Sequence, residues 1–153
     1  MGEISYEELC QQMVQACNEA IIYSDREGVI RLWNAGAEQM LGFSAQEAIG
    51  QSLDMFIPQN QRARHWAGYS KVMETGITRY ARELLAAPAI RKDGTRISTE
   101  FSMTIIRDDT GRIAGTAAVI REVTARWQKE QVIKTRLAEL EQAAAPADKM
   151  AKR

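Results

Sequence analysis

Histidine is almost missing from this chain, which has 153 residues and one imidazole, His65. Cysteine is nearly as scarce, with only Cys10 and Cys17, so no Cys/His cluster of zinc-site spacing can be drawn. Neither sign of charge is in excess: 20 Lys and Arg balance 20 Asp and Glu, and no overall field draws the chain to nucleic acid or to an anionic membrane. No apolar run approaches the roughly 20 residues that cross a bilayer. The acidic, amphipathic start MGEISYEELCQQM is unlike a signal peptide, and the expected compartment is the cytoplasm. Catalytic signatures are missing as well. There is no G-x-S-x-G, no P-loop and no cysteine near the histidine, so the expectation is a protein that is not an enzyme. What is present is the composition of a globular protein, 45% hydrophobic and 26% charged, about the size of one domain with extensions.

Ser5-Tyr6-Glu7-Glu8 has the pattern of a capping box, and Leu9, Met13, Cys17 and Ala20 follow at helical spacing, which predicts an amphipathic leader helix. Seven residues of helix put Cys10 and Cys17 on one face about 10 Å apart, too far for a mutual disulfide. They read as small buried hydrophobes, with an inter-subunit disulfide between parallel helices as the alternative. Residues 21–24 and 29–34 flank the turn Asp25-Arg26-Glu27-Gly28 and predict a hairpin. Two short helices are expected next, at 35–41 and from the second capping box, Ser44 to Glu47, to Gly50.

Between Pro58 and Gly76 lies the longest central helix. The period then changes to two. Residues 80–91 predict a strand interrupted at Pro88. Along 96–107, Ile97, Thr99, Phe101, Met103 and Ile105 alternate with Ser98, Glu100, Ser102 and Thr104. A last strand at 112–123 is rich in small residues, Gly115-Thr116-Ala117-Ala118, which leave room above the sheet. From Thr124 to about Ala144 the chain is helical in composition, with Ile133, Leu137, Leu140 and Ala144 spaced as a heptad seam, and residues 145–153 read as a flexible tail. Helices and strands are segregated, which predicts an α+β fold on an antiparallel sheet. The expected divisions are 1–17 (leader helix), 18–124 (domain), 125–144 (exit helix) and 145–153 (tail).

On a helical wheel of about 100° per residue, Tyr69 falls about 40° and Met73 about 80° from His65, while Arg64, Ala67, Ser70 and Lys71 lie opposite. His65 therefore belongs to the apolar stripe that faces the sheet. A buried imidazole needs a partner for each ring nitrogen, and a metal can satisfy one of them.

The stretches DREGVI (25–30), NAGAEQMLGFS (34–44), EAIGQSL (47–53), RKDGT (91–95) and REVT (121–124), in this order and spacing, resemble the PAS domain family of sensor modules. The resemblance implies a five-stranded antiparallel sheet with one face covered by helices. It implies a role in sensing, dimerisation and relay rather than catalysis. Arg62-Ala63-Arg64-His65 is similar to the R-x-R-H of FixL-type haem-binding PAS domains. By that similarity His65 is the axial ligand of a haem b lying between the long helix and the sheet, and a diatomic gas or redox state is what is sensed. The implied cofactor-binding residues are His65, Tyr69, Met73, Leu85, Phe101, Met103, Ala117 and Val119, with Met103 as a candidate sixth iron ligand. Arg64, Arg79 and Arg82 are candidates for the propionates. Leu85 stands where that subfamily carries its oxygen-binding arginine, and Arg82 is three residues away. Neither cysteine lies on a central helix, so a flavin adduct is disfavoured. A non-covalent flavin beside Trp33 or Trp66, a small organic ligand or an empty pocket in an interaction module are the alternatives. The expected partners are a second copy, through the leader and exit helices, and a downstream signalling protein.

Overall fold

The computed structural model describes residues 2–78 and 82–151, with side chains through residue 145. It comprises two compact units, Met1–Glu122 and Val123–Arg153.

The first unit holds α1 (Tyr6–Ala16), β1 (Ala20–Asp25), β2 (Ile30–Trp33), α2 (Ala35–Leu41), α3 (Ala45–Ala48), a 3-10 turn (Leu53–Met55), α4 (Gln59–Thr75), β3 (Leu85–Ile90), β4 (Arg96–Arg107) and β5 (Ile113–Glu122). Its strands form one antiparallel five-stranded sheet in the order β2-β1-β5-β4-β3. Local chemistry sets the boundaries. Both predicted capping boxes form, Ser5 with Glu8 at α1 and Ser44 with Glu47 at α3, each satisfying two otherwise unpaired amides. In the β1–β2 turn Asp25 Oδ1 accepts the Glu27 and Val29 amides at 3.1 and 3.0 Å, and Oδ2 accepts Arg31 Nε at 2.8 Å.

Register assigns the faces. Ala20, Ile22 and Ser24 of β1 pair with Ile120, Ala118 and Thr116 of β5, and these in turn with Phe101, Met103 and Ile105 of β4. Leu85 and Ala89 of β3 pair with Phe101 and Ile97. This is the face the helices cover: Ile22, Ala89, Ile97 and Ile120 share one buried core with Leu41 of α2 and Tyr69 and Met73 of α4. Burial of each isoleucine or leucine side chain among them contributes roughly 1.5–3 kcal/mol.

Several expectations change. Ala20 does not extend the leader helix but opens β1, fully buried. Pro88 does not interrupt its strand: it sits inside β3, the last strand in the order, where a missing amide costs no ladder bond on the open side. That strand begins at Leu85, and residues 80 and 81 of the predicted span lie outside the described residues. The small residues 115–118 do not simply leave space. A Cβ at Gly115 would lie 1.9 Å from the Ser24 carbonyl oxygen, so glycine there permits the close β1–β5 approach. Ala117 and Val119 point to the other face, with Val119 44% exposed.

The second unit contains α5 (Thr124–Ala151), which continues past Ala144 and through Pro146. The alanines at 143–145 and 147 are strong helix formers and offset the one backbone bond that proline forfeits. Ile133, Leu137 and Leu140 are exposed along it.

Candidate functional site

Helix α4 is fastened by three side chains along its length. Arg62 donates to the Ile57 and Asp54 carbonyls, both at 3.1 Å. Trp66 Nε1 donates to Asp54 Oδ1 at 2.8 Å, and its ring lies on Gly28, where a Cβ would come within 2.1 Å of Trp66 Cη2. Tyr69 reaches into the sheet. Its hydroxyl donates to the Asp25 carbonyl and lies 3.0 Å from Ser24 Oγ, which is 3.5 Å from Thr116 Oγ1. Burial holds the Tyr69 phenol above its usual pKa, so it remains a donor.

His65 lies between these anchors. Its ring meets Trp66 edge-on at 4.8 Å and Tyr69 at 5.8 Å. Its Nδ1 is buried and has no hydrogen-bond partner. Burial pulls the imidazole pKa below its ordinary value, against the opposing charge of Asp54, and so favours the neutral ring with a free lone pair.

Tyr69 and Met73 are core residues, and Phe101 packs against the same core, with Leu85 its cross-strand neighbour. Leu85, Met103 and Ile105 are half-buried on the helix-covered face without joining that core. His65 thus meets Tyr69, and Tyr69, Met73 and Phe101 share one core, while Leu85 and Met103 lie on the same sheet face as Phe101. Ala117 and Val119 do not belong to this set, because alternation along β5 turns them to the opposite face. Trp33 does not flank the site either: it is buried, donates to the Phe43 carbonyl at 2.9 Å and packs on Phe56. Of the arginines, Arg64 and Arg82 are exposed, and Arg79 lies outside the described residues. Cys10 and Cys17 are half-buried.

An imidazole with an unpartnered ring nitrogen and a thioether in apolar surroundings fit a haem. They do not fit a bare divalent cation. Among the described residues no group of three or more His, Cys, Asp or Glu converges. Sequence reasoning missed Ser24, Thr116 and Asp54.

A model of the PAS fold family matches residues 14–128. The chain belongs to the PAS fold family. Among curated proteins, this PAS domain is 31% identical over 85 residues to the sensor protein FixL of Bradyrhizobium diazoefficiens, covering 56% of the chain and 17% of the relative. It is 28% identical over 112 residues to the oxygen sensor protein DosP of Escherichia coli, covering 73% of the chain and 14% of the relative. The chain therefore matches about a sixth of the length of these relatives. Among solved structures, a PAS domain from Colwellia psychrerythraea superposes with a TM-score of 0.70 at 21% identity, over 79% of this chain and 99% of that one. As a PAS domain, the chain is a sensory module of signal transduction.

Proposed function

We propose that this PAS domain takes up a haem b through His65 and senses a diatomic gas or a redox change there, without catalysing a reaction itself. The observation that carries this reading is the buried Nδ1 of His65, which has no hydrogen-bond partner in a setting whose burial disfavours the protonated ring. The resemblance of Arg62–His65 to the haem-binding subfamily supports it, as does the similarity to two proteins named as sensors, one of them an oxygen sensor. A bound haem would supply an iron centre whose ligand or oxidation state can change. The chain's own residues have separate tasks. His65 offers the lone pair, Trp66 and Tyr69 hold the ring in place, and Leu85, Phe101 and Met103 exclude water, with the Met103 thioether a candidate second ligand. Arg64 and Arg82 carry the charge that would suit the propionates. The proposed partners are a second copy of the chain and a downstream signalling protein.

A second reading has its own support. Tyr69 and Met73 are only 7% and 6% exposed, so much of the space under α4 is filled by the domain's own side chains. That arrangement suits a PAS interaction module with no cofactor, or with a small organic ligand or non-covalent flavin. Absorbance of the purified protein, before and after addition of haemin, separates the readings. A strong Soret band that His65→Ala removes is expected. Full haem content in His65→Ala would overturn the axial assignment. Flavin bands in the blue, or no band even with haemin, would favour the second reading.

A further inference from the structure

Tyr69 stands one helical turn beyond His65, and its ring touches the imidazole on one side while its hydroxyl enters the sheet on the other. With Ser24 and Thr116 it makes a cluster of three buried hydroxyls, at 7%, 2% and 4% exposure, in a core that is otherwise largely apolar. Buried hydroxyls are costly unless satisfied, and these are satisfied by one another and by the Asp25 carbonyl. The compensation holds only while α4 keeps its position on β1 and β5, because the partners lie 45 and 47 residues away in the chain (Ser24 to Tyr69, Tyr69 to Thr116). Among the described residues, Tyr69 supplies the side-chain hydrogen bonds that run from α4 to a strand. The strand at the far end, β5, is the central strand of the sheet and continues directly into α5.

We infer that Tyr69 is a positioning residue that registers α4 on the sheet, so that a displacement at His65 reaches β5 through the Tyr69, Ser24 and Thr116 hydroxyls. The inference rests on the sensory reading above and names the contact through which it would work. It differs from a packing role, which would hold the helix without transmitting its movements.

Amide chemical shifts of β5, measured by NMR on the full chain, test it without any cofactor. His65→Ala is the perturbation, introduced into the wild-type chain and into Tyr69→Phe, which keeps the ring and removes one oxygen. His65→Ala is expected to move the amides of Thr116 to Ala118 in the Tyr69 background and to lose most of that effect in the Tyr69→Phe background. Equal movements in the two backgrounds would overturn the proposal, even if Tyr69→Phe lowers the unfolding midpoint. If Tyr69→Phe does not fold, Thr116→Val takes its place and must give the same loss. Haemin added to the same proteins separates the two readings: failure to bind sinks the haem proposal and leaves the β5 coupling standing or falling on its own.

Discussion

His65 Nδ1 has given up its water and gained no hydrogen bond, so the protonated imidazole is the state that the fold resists. The unfolded chain titrates this group near 6.5, and the folded value lies below that. The sign follows. Above about pH 6.5 neither state binds the proton, and stability is independent of this group. As pH falls from there through the folded pKa, the unfolded chain takes up a proton first and stability declines. Asp108, whose carboxyl is held low by its hydrogen bond to Thr110, adds its loss only below about pH 4. Urea midpoints of the wild type between about pH 7.5 and pH 5 should therefore slope downward, and those of His65→Leu should be flatter over the same window. Parallel slopes would show that the imidazole is not held neutral by burial.

At the scale of elements, one side chain joins three of them. Asn34 is fully buried. Its Oδ1 accepts the Ala37 amide at 3.0 Å, capping α2, and the Ile21 amide of β1 at 2.8 Å. Its Nδ2 donates to the Val14 carbonyl of α1 at 2.8 Å and the Glu19 carbonyl at 3.0 Å. Removing it strips a helix cap and leaves several buried backbone groups unpaired. Asn34→Ala should cost about 3 kcal/mol by urea denaturation, and proteolysis should cut α1 sooner than in the wild type. A loss no larger than an ordinary exposed cap would contradict this account. The elements themselves were largely legible. The capping boxes announced α1 and α3, and β4 shows its faces because Ile97, Phe101 and Met103 contrast with Ser98, Glu100 and Ser102. Along β5 that contrast is absent. Gly115, Thr116, Ala117 and Ala118 are all small, so the sequence does not show the phase of the strand, and the register turns Ala117 and Val119 away from the face expected of cofactor-binding residues. The site was half legible for a related reason. The position of His65 on a helix face follows from local spacing, whereas the pairing of Tyr69 with Ser24 and Thr116 is a tertiary contact that no local pattern encodes.

For the whole molecule, the buried hydrophobic core contains, among the described residues, none beyond Ile120. Arg91 closes the first unit by pairing with both Glu122 oxygens, at 2.8 and 2.7 Å, while its Nε donates to the Met40 carbonyl. A chain ending at Thr124 should therefore fold with an unchanged near-ultraviolet circular dichroism signal per domain, apart from the loss of Trp127. Among the described residues the second unit has no comparable core: Ile133, Leu137 and Leu140 are 65%, 55% and 52% exposed. A lone helix in water is marginal, and a seam of about two heptads is weak by itself. On α1, Leu9 and Met13 are likewise 41% and 64% exposed, and a homodimer that buries the stripes of both helices would take them out of water. Sedimentation of the full chain should show a dimer, and the chain ending at Thr124 should dissociate at concentrations where the full chain does not. Leu137→Glu in the full chain should weaken the dimer in the same direction, because it places like charges at the centre of a symmetric seam. A truncated chain that remains as dimeric as the full one would exclude α5 as the principal contact and leave α1 to account for the association.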